Sequence, residues 1–298
     1  MAEDATQASR ELRWLLLSPP LLDPAPGAHS AVVQQFSTAE RQAISAWLDV
    51  IDRNPAELVD FVYPPSPVGA ALSRSPSLRL GRRAERLMAF FLRHGPTHRL
   101  AAANIPLRRV SPLGERTTVG EIDFLLHDGA GRAWHWELAV KFFLCTATGP
   151  RASVAEFIGP DRAETFDTKL NKMFDRQLRH LPPPPWDVES WTPAACTRGR
   201  LFYRHGGPVS LTPGVNPDHL QGRWIERASL DELPGSDRPV WHVVPRNDWM
   251  CPRPPDASEG RDLAAVGRFI DETAPGLATM LVRDDAVDGP PLFVLSPA

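Results

Sequence analysis

The sequence predicts an α/β (α+β) fold whose core runs helix, three strands, helix, strand. Three observations carry this. After Gly81, residues Ala84, Leu87, Met88 and Phe91 recur on one helical face, and Gly95-Pro96 closes the run. Residues 118–126 and 133–144 are two strand-like stretches, separated by the turn formers His127-Asp128-Gly129-Ala130-Gly131-Arg132. A helix expected over about 161–181 is stopped by four prolines at 182–185, and Gly199-Arg200-Leu201-Phe202-Tyr203 reads as the next strand.

The other elements follow in chain order. Residues 1–60 read as helical: Ser37-Thr38-Ala39-Glu40 has the form of a capping box, and Ala43, Ile44, Trp47, Leu48 and Ile51 follow at helical spacing. The Pro/Ser-rich stretch from Pro64 to Pro76 reads as loop, and a strand is expected near Arg99–Leu107. In the tail, Trp241–Val244 and Leu292–Leu295 read as strands and Arg261–Ile270 as a helix, with no catalytic signature. Its Pro/Gly/Asp-rich composition favours irregular additions wrapping a single domain, 1–298, around a core at 81–205.

A chain of 298 residues can bury a sizeable core. The net charge of −3 argues against a generally basic nucleic-acid binder, so attraction to phosphate must be local or helped by a metal. Cys145, Cys196 and Cys251 form no CxxC pair, which favours a reducing compartment. No signal-like start is read at the N-terminus. The apolar stretch Trp14–Leu22 is short and contains Pro19 and Pro20, and nothing approaches the roughly 20 apolar residues of a membrane helix. A cytoplasmic location is expected. Only Lys141, Lys169 and Lys172 among the 33 basic residues are lysines.

Alternation fixes the register of the two long strands, because a slip of one residue turns every side chain to the other face. Ile122 should face Leu138, Phe124 face Trp136 and Leu126 face Trp134, making one side of the hairpin apolar. On the other side Asp123 should face Glu137, Glu121 face Ala139 and Val119 face Lys141. Two carboxylates opposed in this way repel unless something offsets them, and a divalent cation is the simplest remedy. A backbone carbonyl near Leu138 could add a ligand. The alternative is that both acids face solvent, neutralised by Lys141 or an arginine.

The runs Gly120-Glu121-Ile122-Asp123-Phe124-Leu125-Leu126 and Trp136-Glu137-Leu138-Ala139-Val140-Lys141-Phe142 resemble the metal-binding core of the PD-(D/E)XK, or restriction-endonuclease-like, nuclease superfamily. The element order resembles it too. More narrowly, these runs, Phe157-Ile158-Gly159-Pro160 and the helix with Lys169 and Gln177 resemble a family of uncharacterised bacterial proteins, a domain of unknown function, assigned to that superfamily. The resemblance implies that Asp123 and Glu137 hold Mg²⁺ or Mn²⁺, that Glu85 supplements them, and that Lys141 orients water or stabilises charge on the phosphate. Gln177, polar on an apolar stripe of Phe166, Leu170, Met173, Phe174 and Leu178, needs a partner. Either the site supplies it or the residue is a hydrogen-bonded core glutamine.

The sequence departs from the pattern at Ala139, where the superfamily has its lysine; Lys141 lies two residues further, about 13 Å along the strand from Glu137. Three readings stay open: a migrated lysine, another residue such as Lys169 in its role, or a core that has lost activity. No phosphate loop, GxGxxG, HExxH or GxSxG motif is present, and the histidines and cysteines lack zinc spacing. The nine tryptophans read as core or loop anchors, with base stacking as the alternative. Arg82, Arg83, Arg86 and Arg93 around the first core helix, with Arg108-Arg109, read as a solvated face or a phosphate track. The expected function is a metal-dependent nuclease acting on DNA or RNA. Its rivals are a non-catalytic nucleic-acid-binding or protein-interaction module, and a metal-dependent enzyme with another substrate.

Overall fold

The computed structural model describes residues 2–25, 27–63, 79–110, 114–233, 240–253, 259–273, 276–284 and 289–297. The loop expected from Pro64 to Pro76 lies outside them. The fold is mixed α/β, with a large, mostly antiparallel sheet and several helices. The chain divides into two compact units, Met1–Val140 with Leu170–Arg198, and Lys141–Lys169 with Gly199–Ala298.

The first unit begins with α1 (Ala2–Leu17), β1 (Val32–Val33), α2 (Thr38–Arg53) and α3 (Ala56–Val62). The capping box at α2 forms as expected: Ser37 accepts from Glu40 N and the Glu40 carboxylate returns to Ser37 N. Next comes α4 (Leu80–His94), whose Ala84, Leu87, Met88, Phe90, Phe91 and Leu92 are buried. Each of the larger apolar side chains contributes about 1.5–3 kcal/mol through burial. The helix is followed by β2 (His98–Val110), β3 (Arg116–Asp128) and β4 (Ala133–Cys145).

The β3–β4 turn is built around Asp128. Its carboxylate accepts from Ala130 N, Arg132 N, Arg132 Nε and Trp134 Nε1 at 2.7–3.1 Å. Burial raises the Asp128 pKa, but these donors outweigh burial and hold it at about 2.

The second unit takes the end of β4, with β5 (Phe157–Ile158) antiparallel to it, and the end of β6 (Thr192–Arg204). It continues through β7 (Gln221–Glu226), β8 (Trp241–Val244), α6 (Leu263–Thr273), β9 (Ala278–Arg283) and β10 (Leu292–Leu295). Strand β7 pairs in parallel with β6 and β10, while β10, β9 and β8 are antiparallel neighbours. Leu263, Val266 and Ile270 of α6 pack with Ile225, Leu281, Leu292 and Val294.

Between β5 and β6 the single helix expected over 161–181 is two pieces. These are α5 (Phe166–Asp175) and a 3₁₀ turn, Gln177–Arg179, separated where Arg176 leaves helical geometry at φ −127°, ψ −66°. Gln177 therefore sits on the turn, not on the helix. Strand β6 begins at Thr192, seven residues before the expected start at Gly199. The C-terminal region carries more strand than its composition suggests, since β7 and β9 join the two expected strands there.

Candidate carboxylate site on the β3–β4 hairpin

The hairpin has the register that alternation requires: Phe124↔Trp136, Leu125↔His135, Leu126↔Trp134 and His127↔Ala133. Phe124, Leu126 and Trp136 are buried. The backbone ladder does not extend to the expected pairs below Phe124, and side chains take its place. Leu138 N donates to Asp123 Oδ2 at 2.8 Å, while Asp123 N donates to Glu137 Oε1 at 3.4 Å. Each acid thus reaches across to the main chain of the opposite strand.

Glu137 is 0% exposed. Its Oε1 also accepts from His135 Nε2 at 2.8 Å, and its Oε2 accepts from Gln177 Nε2 at 2.7 Å. His135 is 2% exposed; burial pushes its pKa down to about 4 against the opposing pull of Asp123's charge. At neutral pH the ring is neutral, and its partner assigns the proton to Nε2. The donors named here fix the Glu137 carboxylate without cancelling its charge.

His180 follows the 3₁₀ turn that carries Gln177 and lies over Gly120, where an added Cβ would come within 2.7 Å of its Nε2. Burial lowers the His180 pKa, and the charge of His135 lowers it further.

Glu85, on α4, is paired with Arg82, whose Nη1 lies 3.0 Å from its Oε2 and 3.7 Å from Glu121 Oε1. Burial raises the Glu85 pKa; Arg82 opposes this and Glu121 adds to it. Among the described residues no three His, Cys, Asp or Glu side chains group as a metal site. Lys141 belongs to the second unit, ion-paired with Glu164. Lys169 stands near the start of α5. Ala139 is buried with Met173, Leu178 and Ala195.

Of the residues singled out in the sequence, the structure brings together Asp123, Glu137 and Gln177. It adds His135, which sequence reasoning passed over although alternation puts it on the face of Glu137 two residues away. His180 had no such signal, because its place depends on the room left by a glycine on another element.

Fold and site define a mixed α/β protein with a buried, hydrogen-bonded carboxylate where a long hairpin opens. The chain belongs to the family described as "Domain of unknown function (DUF1853)", which it matches over residues 10–283. No curated protein and no solved structure matches it. Among the described residues no helix is long and apolar enough to cross a membrane.

Proposed function

We propose that the protein is a metal-dependent nuclease of the PD-(D/E)XK kind, hydrolysing phosphodiester bonds of DNA or RNA, with Asp123 and Glu137 holding Mg²⁺ or Mn²⁺. The observation that carries this is the meeting of the two acids where the ladder gives way to side-chain bonds. The donor set suits the ion: hard oxygens from two carboxylates are enough for a cation that keeps several waters and takes further oxygens from a phosphate. An ion held by Asp123 and Glu137 would supply Lewis acidity to a bound water and positive charge opposite the scissile phosphate. The chain's own part is to hold the ligands. Gln177 and His135 fix both oxygens of Glu137, and burial of that carboxylate keeps its charge little screened. With the two-residue β5 set aside, the order α4, β2, β3, β4, α5, β6 supports the same assignment. A cytoplasmic setting suits the buried thiols Cys145 and Cys196.

A second reading, a module that binds nucleic acid or protein without cleaving, is favoured by Ala139 in the apolar cluster and by the pairing of Lys141 with Glu164. The test is Mg²⁺- and Mn²⁺-dependent cleavage of single- and double-stranded DNA and RNA by the wild-type protein and Glu137→Gln. Cleavage lost in the variant supports the nuclease. A folded wild type that binds an oligonucleotide and leaves it intact supports the module.

A further inference from the structure

A phosphodiester approaching this site meets negative charge: Asp123 is half-buried, Glu137 lies fully buried behind it, and Glu85 and Glu121 are close to Arg82. Beyond any metal, it needs a cation that faces the acids and remains accessible. Four arginines lie on α4, and three of them are committed to holding the helix. Arg83 is buried against Glu11 at 2.9 Å, Arg86 donates to the Val62 carbonyl at 2.8 Å, and Arg93 stacks over the Phe61 ring at 5.2 Å. Arg82 is different. Its side chain is 59% exposed, and it contacts Glu85 Oε2 at 3.0 Å, Asn104 Oδ1 at 3.5 Å and Glu121 Oε1 at 3.7 Å. All three contacts fall on Nη1, and among the described residues no acceptor takes Nε or Nη2. The charges of Glu85, Glu121 and Asp123 all act on this guanidinium and raise its pKa.

Resting on the nuclease reading, we propose that Arg82 grips a non-bridging oxygen of the scissile phosphate, supplying the positive charge that Ala139 lacks and that Lys141 directs to Glu164. A guanidinium presents its N–H groups as a fork that matches phosphate geometry, and it stays charged at any working pH. An exposed pair three residues apart on a helix adds little stability. The acids around Arg82 aim the guanidinium, and Arg82→Ala is expected to fold. Its role is charge and hydrogen bonding; no proton leaves it.

The experiment measures kcat and KM of the wild-type protein, Arg82→Ala and Arg82→Lys on an oligonucleotide the wild type cleaves. The same oligonucleotide is then tested with a neutral methylphosphonate at the cleaved linkage, each diastereomer separately. Arg82→Ala is expected to lower kcat/KM about 10²-fold on the natural linkage, the scale of losing one donor to a developing oxyanion, with unchanged thermal unfolding. Arg82→Lys recovers part of the loss. With one diastereomer, wild type and Arg82→Ala no longer differ, because the oxygen Arg82 would hold is gone. The inference is overturned, and the nuclease reading kept, if Arg82→Ala cleaves like wild type, or if it costs the same factor on the natural linkage and on both diastereomers. A folded wild type that cleaves no nucleic acid overturns both.

Discussion

Gln177 and Glu137, forty residues apart, are joined by a 2.7 Å hydrogen bond from the side-chain amide to a fully buried carboxylate. Removing one partner of a buried bond leaves the other's desolvation cost uncompensated, about 1–3 kcal/mol, and more when that group is charged. Gln177→Leu is therefore expected to lower the urea midpoint at pH 7. Gln177→Glu should lower it further, because two carboxylates would then share the bonded position. If both variants unfold like wild type, the turn at 177–179 does not hold Glu137 in solution.

Glu137→Gln separates stability from activity. The carboxylate is fully buried and its side-chain donors His135 and Gln177 carry no charge at neutral pH, so neutralising it removes a desolvation cost. The carbonyl oxygen of the new side chain can keep the bonds from His135 and Asp123, while Gln177 turns its own amide to accept from the new NH₂. The metal-free variant is expected to melt at the wild-type temperature or above it. Its cleavage rate should fall about a thousandfold, since a metal held in place contributes several kcal/mol to the transition state. Unfolding with and without Mg²⁺ beside a cleavage assay checks both halves; a variant that melts lower yet cleaves normally contradicts both.

What was legible in the sequence is what depends on local pattern. The alternation around Asp123 and Glu137 fixed the register later seen at Phe124↔Trp136, and the α2 capping box forms as Ser37 and Glu40 imply. Gln177, polar on an apolar stripe, was recognisable as needing a partner, and that partner is Glu137. The opening of the ladder was not legible, because it turns on which carboxylate takes which main-chain N–H. Nor were β1 and β5, two residues each, whose strand character exists only through pairing. Pairing of Lys141 with Glu164 was equally hidden, since 23 residues and a change of chain direction separate them.

The buried imidazole of His135 makes stability depend on pH. Its pKa falls from 6.5 in the unfolded chain to about 4 in the fold. Between those values the unfolded state binds a proton that the native state does not, so stability rises with pH there. The contribution is complete above pH 6.5 and is lost as pH falls towards 4, about 3 kcal/mol in all. His135→Asn keeps a donor and does not titrate. The difference between the unfolding free energies of wild type and this variant should be constant above pH 6.5 and shift by about that amount, against the wild type, as pH drops to 4. Parallel curves over that interval would show that His135 titrates normally.

Two glycines answer to opposite constraints, and alanine at each distinguishes them. Gly199 on β6 has φ +143°, and a Cβ there would lie 1.7 Å from the Lys141 carbonyl oxygen, with the Lys141 carbonyl carbon and nitrogen at 2.7 and 3.0 Å. All three atoms are backbone of a neighbouring strand and cannot yield without breaking the pairing. Gly199→Ala is expected to cost more than about 4 kcal/mol, enough to abolish a cooperative unfolding transition or soluble expression. Gly120 has no positive φ, and its added Cβ meets only the end of the His180 ring at 2.7 Å. A side chain can turn away, so Gly120→Ala should fold, with a loss on the order of 1 kcal/mol. Its visible effect should be on His180, whose ring resonances move in an NMR spectrum while those of His135, locked on Glu137, stay close to their wild-type positions. Equal destabilisation by the two alanines would mean that His180 is as immovable as a strand backbone, and that the 177–180 segment is fixed at both of its ends.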